Sequence, residues 1–468
     1  MQHIPPQQTD VLVIGGGNAA LCAAISAREQ GARVVMLERA PQAMRGGNTR
    51  HVRNFRVMHS TPLETLSDCY DAQEYWQDIQ RVTGGKTQPE LTRMMIEASP
   101  ELLSWYKDLG VYFQPSLSGT LSLDRTNAFF LGGGCALANT LYRAAAELGV
   151  EIFYNCDVRA LDIADGHFRS ATYYAGDNPA PRQVQANSLV AACGGFQANR
   201  SWLEEIWGPA AQNFLIRGTP YNEGTVLRAL LDHHISPVGD ADQCHAVAID
   251  ARAPAYDGGI VSRLDCVCFS IVVNRHAQRF YDEGEDFWPK RYAIWGRLVA
   301  QQDEQIAYAI IDNKVINNFM PSVFPPITAD SIDELAAKLD LSPSALNQTL
   351  ARFNQAVVAG QYDPTQLDDC ATHGLHPPKS HWARTIDQAP FHAYPLRPGI
   401  TFTYLGVKVD ASARMQMRND QPSSNLFAAG EIMAGNILGQ GYCAGTGMTI
   451  GGVFGRIAGR EAACLNNL

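Results

Sequence analysis

The first forty residues alternate between short apolar runs and a glycine turn. Residues 9–14 contain a short apolar run that ends at Ile14, three consecutive glycines follow, and residues 21–27 form an alanine-rich, mainly apolar stretch. A second apolar run at 32–37 ends at Glu38. This order predicts a strand, a tight turn, a helix and a second strand. In such a unit the glycine backbone and the helix N-terminus can hold a pyrophosphate group.

The side chains of this unit indicate an adenine dinucleotide. Ala20 stands where the usual fingerprint has its third glycine, and close helix–strand packing allows alanine there. Glu38 lies 21 residues after Gly17, where a carboxylate can accept hydrogen bonds from ribose hydroxyls. The predicted dinucleotide-binding residues of this unit are Gly15, Gly17, Asn18, Ala19, Ala20, Glu38 and Arg39.

Later segments favour FAD over NAD. Residues 151–158 predict a strand that follows a helix at about 134–148, and residues 188–195 predict a strand that ends in glycines. Residues 425–431 repeat this pattern and place Glu431 where it can bind a ribityl hydroxyl. The cofactor-binding residues predicted from these segments and from the glycine turn after the second strand are Gly46, Gly47, Asn48, Thr49, Val158, Gly194, Gly195, Gly430 and Glu431.

One stretch near the C-terminus, residues 432–454, carries no charged side chain. It has the length of a membrane span, for which about 20 residues are needed. Its seven glycines, with Asn436 and Gln440, leave it too weakly apolar for insertion. We therefore predict a loop and a buried helix that pack close to a ligand.

The middle of the chain, from about 237 to 376, has a different pattern. Residues 268–274 predict a strand, and residues 301–306, 333–339 and 343–359 predict helices. This mixture indicates a second structural unit.

Composition narrows the class of protein. The chain has 468 residues, of which 46% are hydrophobic and 18% charged, so we expect a folded protein of two or three domains. With 37 basic and 47 acidic residues the net charge is −10, which argues against a nucleic-acid-binding protein. The first residues lack the basic and apolar regions of a signal peptide, so we expect a cytoplasmic protein.

The cysteines predict reduced thiols. Their number, 11, is odd, and their spacing is not that of a disulfide framework. Cys266 and Cys268 are predicted on alternate faces of a strand. Because no CxxC pattern occurs, we expect neither a metal site nor an iron–sulfur centre in this chain.

The order of the predicted strands and the glycine-rich stretch 445–452 resemble the flavoprotein superfamily of fumarate reductase and succinate dehydrogenase. The resemblance covers nearly the whole chain. It implies an α/β fold in which a Rossmann-like FAD-binding domain, made of residues 1–236 and 377–468, carries an inserted α+β capping domain at 237–376.

The resemblance also implies how FAD is bound. The N-terminus of the last helix, with Thr446, Gly447 and Met448, would point at the flavin pyrimidine and stabilise the reduced flavin through its N–H groups. No histidine matches the covalent flavin anchor of the membrane-bound complexes. Non-covalent FAD is therefore expected, although His51 leaves this point open.

The chemistry of the superfamily is a hydride transfer between flavin N5 and a carbon next to a carboxylate, while a cap arginine exchanges a proton on the opposite face. An arginine can do this because a nearby carboxylate relays the proton. The segment 284–297 is longer than the family pattern, so we predict Arg291 as this arginine and keep Arg297 in reserve. The alternative for Arg291 is an ordinary surface cation.

Other cap residues match substrate-binding positions of the superfamily. His245 matches a histidine that holds a substrate carboxylate, and a structural histidine is the alternative. Ser262 and Arg263 fall where the family has a Thr-Glu pair, and an arginine there would favour an additional negative charge.

Two positions depart from the fumarate reductases. Tyr442 stands where they have an arginine, as in the ketosteroid dehydrogenase branch, and Tyr404 lies in a stretch where they carry a histidine. A four-carbon dicarboxylate held in the reductase manner is therefore not expected.

A steroid substrate is not favoured either, because the segment 50–56 concentrates cationic side chains beside the flavin. Guanidinium groups supply both charge and orientation for carboxylates, so this segment indicates an anionic substrate. The alternative is that it contacts only the FAD pyrophosphate or acidic neighbours. The residues concerned are Arg50, His51, Arg53 and Arg56.

Three motifs, at 46–51, 279–286 and 441–447, look like those of the FAD-dependent tricarballylate dehydrogenases. This resemblance implies oxidation of tricarballylate (propane-1,2,3-tricarboxylate) to cis-aconitate, with Arg291 and Tyr442 as catalytic residues. It also implies that electrons pass from reduced FAD to a separate, membrane-associated iron–sulfur protein, which would place this chain at the periphery of the inner membrane. The implied substrate-binding residues are Arg50, His51, Arg53, His245, Ser262, Arg263, Arg297 and Tyr404.

Two other functions stay open. One is a flavin-dependent desaturase or reductase of another substrate, of the 3-ketosteroid or the fumarate/succinate type. The other is a non-enzymatic electron shuttle, against which the large cap argues because a shuttle has no substrate to enclose.

Overall fold

The computed structural model describes residues 4–116, 123–258 and 262–465. Its strands follow one another along the chain as β1 (Gln8–Ile14), β2 (Val34–Leu37), β3 (Asn54–Arg56), β4 (Asn127–Phe129), β5 (Glu151–Phe153), β6 (Cys156–Ala164), β7 (His167–Ala175), β8 (Arg182–Ala191), β9 (Leu215–Arg217), β10 (Pro237–Val238), β11 (Cys244–Asp250), β12 (Tyr256–Asp257), β13 (Ile271–Asn274), β14 (Ala307–Asp312), β15 (Ile327–Ala329), β16 (Val357–Val358), β17 (Ala371–Thr372), β18 (Phe391–Thr403), β19 (Gly406–Val407), β20 (Arg414–Gln416) and β21 (Pro422–Ala428).

The helices lie between these strands and after the last of them. In chain order they are α1 (Asn18–Glu29), α2 (Ala72–Thr83), α3 (Pro89–Asp108), α4 (Gly133–Glu147), α5 (Arg200–Trp207), α6 (Thr225–Asp232), α7 (Trp288–Arg291), α8 (Trp295–Ala300), α9 (Ile332–Lys338), α10 (Pro343–Ala356) and α11 (Thr446–Cys464).

The first sheet contains the βαβ unit that the sequence predicts to bind a dinucleotide. Its strands lie in the order β20-β21-β8-β1-β2-β5, and β6 and β7 join it through β8. The pairs β1–β2, β1–β8, β2–β5 and β8–β21 are all parallel. Residues 11–14 and 34–37 are buried, as expected for central strands of a parallel sheet with both faces covered. The predicted α/β fold is confirmed.

The second sheet contains strands of the predicted capping segment, and we call it and the helices packed on it the cap. Its strands lie in the order β12-β9-β18-β14-β13, and β11 and β15 also pair with β18. Strand β18 is 13 residues long and is almost entirely buried. Because β9 precedes residue 237 and β18 follows residue 376, this sheet extends beyond both ends of the predicted capping segment. The observed sheet differs from the predicted segment because its strands pair with β18 over long distances along the chain. No local pattern in the sequence predicts such pairing.

Several predicted elements differ in detail. The strand predicted at 151–158 is divided into β5 and β6, because Asn155 adopts a left-handed conformation with φ of 56°. Helix α8 ends at Ala300, and a single 3-10 turn at 303–305 follows where a helix at 301–306 was predicted. Helix α10 ends at Ala356, because Val357 and Val358 form a short strand.

The cysteines are free, and most of them are buried. Cys266 and Cys268 flank the start of a short 3-10 turn at 267–269 and do not lie on a strand, so their predicted placement is wrong. The strand of this region, β13, begins only at Ile271.

The charge-free stretch at 432–454 consists of a 3-10 helix at 430–436, a loop, and the first half of α11. Most of it is buried, as predicted. Within the three described parts of the chain, we find no helix that combines the length and the apolar character needed to cross a membrane.

Candidate active site

A single long cavity runs from the carboxyl ends of β1, β2 and β8 to the underside of the cap. The carboxyl ends of parallel strands are the usual ligand site of such a sheet. Residues from both sheets line it, so both units contribute to one site.

The first part of the cavity lies at the N-terminus of α1. Gly15 has a φ of +117°, and a Cβ there would lie 2.3 Å from the Ala192 carbonyl oxygen, so only glycine fits this turn. Gly17 is the N-cap residue of α1 and has no side chain to cap the helix, although the Asn18 N–H donates a hydrogen bond to Thr49 Oγ1 at 2.8 Å. The helix N-terminus therefore faces the cavity with backbone N–H groups that suit a pyrophosphate.

Glu38 lies at the end of β2 and faces the same part of the cavity. Its carboxylate accepts a hydrogen bond from the Ala40 N–H at 2.7 Å. Burial raises the pKa of Glu38 to about 7. An adjacent cavity wall contains Arg39, which forms ion pairs with Asp157 at 3.2 Å and Glu223 at 2.5 Å. A buried carboxylate with unused acceptor capacity fits the two hydroxyls of a ribose.

A second buried carboxylate, Glu431, lies farther along the cavity. It accepts a hydrogen bond from the Thr403 N–H at 2.9 Å and lies near the side-chain amides of Gln197 and Asn222. Burial raises the pKa of Glu431 to about 7. Both carboxylates line the same cavity, so one can accept hydrogen bonds from a ribose and the other from a ribityl chain.

The N-terminus of α11 borders the cap end of the cavity. Gly445 is its N-cap residue, with a φ of +84°, and a Cβ there would lie 2.3 Å from Asn127 Nδ2. The Gly447 N–H donates a hydrogen bond to the Tyr442 hydroxyl at 3.0 Å. Tyr442, Gly447 and Met448 all line the cavity.

Most predicted cofactor residues meet in this cavity. Those that line it are Gly15, Gly17, Asn18, Ala19, Glu38, Arg39, Gly47, Asn48, Thr49, Val158, Gly194, Gly430, Glu431, Gly447 and Met448. Four others lie behind its wall: Ala20, Gly46, Gly195 and Thr446. The donor and acceptor set as a whole, with two helix N-termini and two buried carboxylates, fits FAD.

Comparison with known proteins agrees with this geometry. A family model described as FAD binding domain matches residues 10–450. The chain belongs to this FAD-binding family. We therefore refer to the long cavity as the FAD site and to its cap end as the flavin end.

An NADH:fumarate oxidoreductase from Klebsiella pneumoniae (strain 342) is 28% identical over 468 residues. That alignment covers 98% of this chain but only 48% of the relative, so the chain spans about half the length of that protein.

Two solved structures share the fold. The open conformation of a flavocytochrome c3 fumarate reductase has a TM-score of 0.75 and 22% identity, over 98% of this chain and 79% of the other. A 3-ketosteroid-Δ4-(5α)-dehydrogenase from Rhodococcus jostii RHA1, in complex with 4-androstene-3,17-dione, has a TM-score of 0.73 and 21% identity, over 97% of each chain.

At the flavin end the cap and the FAD-binding unit bring three arginines together. Arg53, Arg217 and Arg263 all line the cavity there. Arg217 ends β9 and donates a hydrogen bond to Thr401 Oγ1 at 3.1 Å. Arg263 forms a buried ion pair with Asp265 at 2.7 Å. The sequence predicts Arg53 and Arg263 as substrate-binding residues, but it does not predict Arg217.

The three guanidinium groups affect one another. Burial, and then the charge of Arg263, lower the pKa of Arg53. The same two causes lower the pKa of Arg217 to about 10. Burial also acts to lower the pKa of Arg263. The negative charge of Asp265 and its hydrogen bond with Arg263 have the larger combined effect, so the pKa of Arg263 is raised. The cavity is thus cationic, and an anion there would relieve the repulsion.

Aromatic side chains form the remaining wall. The His245 ring stacks on the Tyr442 ring with centroids 4.1 Å apart and packs edge-on against Tyr292 at 5.5 Å. Burial, with the charges of Arg217 and Arg263, lowers the pKa of His245 well below its ordinary value. His245 is therefore neutral, and its buried Nε2 has no hydrogen-bond partner in the described part of the protein.

Several other predicted residues also have defined places. His51 lines the cavity, and burial lowers its pKa to about 4. Arg50 points away and donates to the Ala43 carbonyl at 3.0 Å. Ser262 donates to Asp257, and the Tyr404 hydroxyl donates to the Gly441 carbonyl. Ser262, Tyr404 and Arg50 do not line the cavity.

The predicted proton-transfer arginines also lie outside the cavity lining. The Arg291 guanidinium forms an ion pair with Glu285, which also accepts a hydrogen bond from Tyr281 at 2.6 Å. Arg297 lies half-buried on α8. The neighbour of Arg291, Tyr292, lines the cavity instead.

Arg56, from the predicted cationic segment, is fully buried behind the flavin end. Its guanidinium donates to Tyr70, to Asp78 at 3.1 Å and to the Ala444 carbonyl at 3.1 Å. Arg56 is therefore neutralised by its own partners and does not face a substrate.

Proposed function

We propose that this protein is a flavin-dependent oxidoreductase that oxidises tricarballylate to cis-aconitate. The observation that carries the proposal is the group of three arginines at the flavin end of the FAD site, next to neutral His245 and two tyrosines. Bound FAD supplies the hydride acceptor. A hydride leaves one carbon, a proton leaves the adjacent carbon, and a C=C bond forms between them.

The charge of the cavity supports a substrate with several carboxylates. Burying three guanidinium groups together is costly, and Asp265 neutralises one of them. A substrate with two or more carboxylates would offset the remaining charge, and a tricarboxylate would offer one carboxylate to each guanidinium. The apolar wall that includes Trp288, Tyr292 and Phe402 excludes water around the substrate carbons.

For the proton transfer we propose Tyr292 in place of Arg291. The Tyr292 hydroxyl makes no side-chain hydrogen bond to any described residue, and Tyr292 borders the arginine cluster. Burial has the larger effect and raises the pKa of Tyr292, although Arg263, Arg217 and Arg53 act to lower it. The hydroxyl is therefore a neutral phenol, and it would release its own proton to solvent, which the three cations favour, before it accepts the substrate proton as a phenolate. Those same cations stabilise the negative charge that develops next to a substrate carboxylate.

Tyr442 has a different role in this proposal. Its hydroxyl accepts the Gly447 N–H at the N-terminus of α11, so its own proton is free to be donated to a substrate carboxylate. Burial raises the pKa of Tyr442, which keeps this hydroxyl protonated. Tyr442 would therefore orient the substrate against the flavin.

The test is an anaerobic titration of the purified holoenzyme followed by flavin absorbance. We expect bleaching with tricarballylate, accompanied by formation of cis-aconitate, and no bleaching with succinate or with a 3-ketosteroid. Fumarate serves to test the reverse direction, with chemically reduced enzyme as the donor. Bleaching by a different compound, or by none of them, would reject tricarballylate as the substrate.

A second candidate is a flavin-dependent enzyme of the steroid dehydrogenase type. It is supported by Tyr442 and by the fold shared with the ketosteroid dehydrogenase over 97% of both chains. The arginine cluster opposes it, because a neutral steroid supplies no negative charge to a cavity end lined by three buried cations. Bleaching by the 3-ketosteroid alone would favour this candidate.

The proposal includes a separate electron acceptor, a membrane-associated iron–sulfur protein. The expected outcome is that substrate-reduced holoenzyme is reoxidised by inner-membrane fractions under anaerobic conditions. Reoxidation by NAD alone, without membranes, would reject this part of the proposal.

A further inference from the structure

Two ion pairs connect helix α2 to a short segment of the cap. Lys290 Nζ lies 2.6 Å from Asp78 Oδ1, and Asp286 Oδ2 lies 2.9 Å from Arg81 Nη2. Asp78 and Arg81 are three residues apart on α2, which places them on one face of the helix. We call these four residues the α2 clasp.

Trp288 lies between the two cap residues of the clasp and connects them to the arginine cluster. Trp288 Nε1 donates a hydrogen bond to Asp265 Oδ1 at 2.7 Å. The other oxygen of Asp265 accepts a hydrogen bond from Arg263 Nη2 at 2.7 Å. Trp288 and Arg263 line the cavity, whereas Asp265 is buried behind them. A continuous set of contacts therefore runs from α2 to Arg263.

The clasp also contacts the opposite side of the site. Asp78 accepts a hydrogen bond from Arg56, which in turn donates to the Ala444 carbonyl, two residues after Tyr442. Helix α2 is thus connected both to the cap arginine and to the loop before α11.

We propose that the α2 clasp positions Arg263 for the substrate. The clasp holds Trp288 against Asp265, and Asp265 fixes the orientation of the Arg263 guanidinium. The four clasp residues do not touch the substrate, so they are positioning residues. The inference rests on the proposed anionic substrate. Loosening the guanidinium weakens its hydrogen bonds to a carboxylate in the ground state and the transition state alike, which raises KM. Its charge stays beside Tyr292 and the substrate, so kcat is nearly unchanged.

The experiment uses Arg81→Met and Lys290→Met, which remove one charge each and keep an unbranched apolar side chain, although a shorter one. Asp78 is left intact because its removal would leave Arg56 as an uncompensated buried charge. We expect each variant of the holoenzyme to raise KM for tricarballylate about fivefold, with kcat within about twofold of the parent. Lys290→Arg restores the parent KM.

The matched control is Lys86→Met. Lys86 forms an exposed ion pair with Asp240 at 3.5 Å, close to the end of α2 but without a connection to Trp288. This variant keeps the parent KM. An equal rise of KM in Lys86→Met would show a general charge effect and would overturn the proposal.

A double-mutant comparison tests whether the clasp acts through Arg263. In an Arg263→Gln background, Lys290→Met has no further effect on KM, because the group that it positions is gone. If the two effects multiply, the clasp does not act through Arg263 and the proposal fails.

Hydrogen exchange separates this inference from the proposed substrate. Amides of residues 286–292 are expected to exchange faster in Arg81→Met and Lys290→Met than in Lys86→Met. If the parent holoenzyme neither binds nor oxidises tricarballylate, the proposed function fails, and the hydrogen-exchange measurement alone then tests the clasp. Exchange rates in both clasp variants equal to those of the parent would overturn the clasp proposal.

Discussion

Three guanidinium groups from separate parts of the chain meet at the flavin end of the FAD site, and a tyrosine lies among them. The Arg263 guanidinium carbon lies 5.1 Å from the centroid of the Tyr292 ring. Arg53 and Arg217 also act on the ionisation of Tyr292. Two opposing effects therefore act on one hydroxyl: burial favours the neutral phenol, and the three cations favour the phenolate.

The first prediction concerns this hydroxyl. Tyr292→Phe removes it and keeps the ring that packs against His245, so the fold and FAD content are expected to be retained. If Tyr292 accepts the substrate proton, kcat falls by about 10²- to 10⁴-fold. Steady-state turnover with an artificial electron acceptor measures the effect.

The control for this prediction is Arg291→Gln. This variant alters the neighbouring residue, which forms an ion pair with Glu285 and does not line the cavity. We expect a change in kcat of less than about tenfold. The reverse pattern, a large loss in Arg291→Gln and a small one in Tyr292→Phe, would assign proton transfer to the arginine.

For single residues, the sequence predicts the chemical character of the site better than the position of each side chain. The cationic segment 50–56 contributes Arg53 and His51 to the cavity, but Arg56, at the end of β3, is buried against Asp78. Arg217 gives no signal in the sequence, because its place depends on the parallel pairing of β9 with β18. This pairing joins strands that are far apart along the chain, so no local pattern near Arg217 indicates it.

Helices α1 and α11 form the close-packed centre of the FAD-binding unit, and each has its N-terminus at the cavity. A Cβ on Gly455 would lie 2.6 Å from the Ala19 carbonyl oxygen, and one on Gly459 would lie 2.1 Å from that of Ala23. Glycines on α11 therefore allow its backbone to approach α1. This approach sets the separation of the two helix N-termini that face FAD.

The second prediction follows from this approach. Gly459→Val places a branched side chain against a backbone carbonyl that cannot rotate away, so the helices must separate. We expect the free energy of unfolding to fall by about 3 kcal/mol, measured by urea denaturation of the holoenzyme. Arg460→Ala, an exposed change on the same helix, serves as control. Equal stability of the two variants would contradict the packing argument.

At the scale of elements, local patterns predict well where the chain is regular. The first βαβ unit and helices α4 and α9 lie within about two residues of their predicted positions. The errors occur where one residue ends an element, as Asn155 does through its positive φ. The extent of the cap sheet could not be predicted, because β9 and β18 join it only through pairing with distant strands.

Across the whole molecule, FAD binding is connected to the ionisation of two buried carboxylates. The pKa values of Glu38 and Glu431 are raised to about 7 by burial in the cofactor-free cavity. A raised pKa means that the folded apoprotein prefers the protonated acid. The corresponding stability is present below the ordinary carboxyl pKa of 4.5 and is lost as the pH rises through about 7. Ribose and ribityl hydroxyls reverse this preference, because they donate hydrogen bonds to the ionised form.

The third prediction is the pH dependence of FAD affinity. Because FAD favours the ionised Glu38, binding releases a proton, and the affinity of the apoprotein for FAD rises as the pH increases through 7. For one carboxylate of pKa about 7, binding is about tenfold weaker at pH 6 than at pH 8. Glu38→Gln removes this tenfold change in FAD affinity and leaves only the pH dependence that Glu431 causes. The control Glu101→Gln, at an exposed site, keeps the pH dependence of the parent. Fluorescence titration of apoprotein with FAD at the two pH values measures the ratio. If Glu38→Gln retains the pH dependence of the parent, Glu38 does not accept hydrogen bonds from the cofactor in its ionised form.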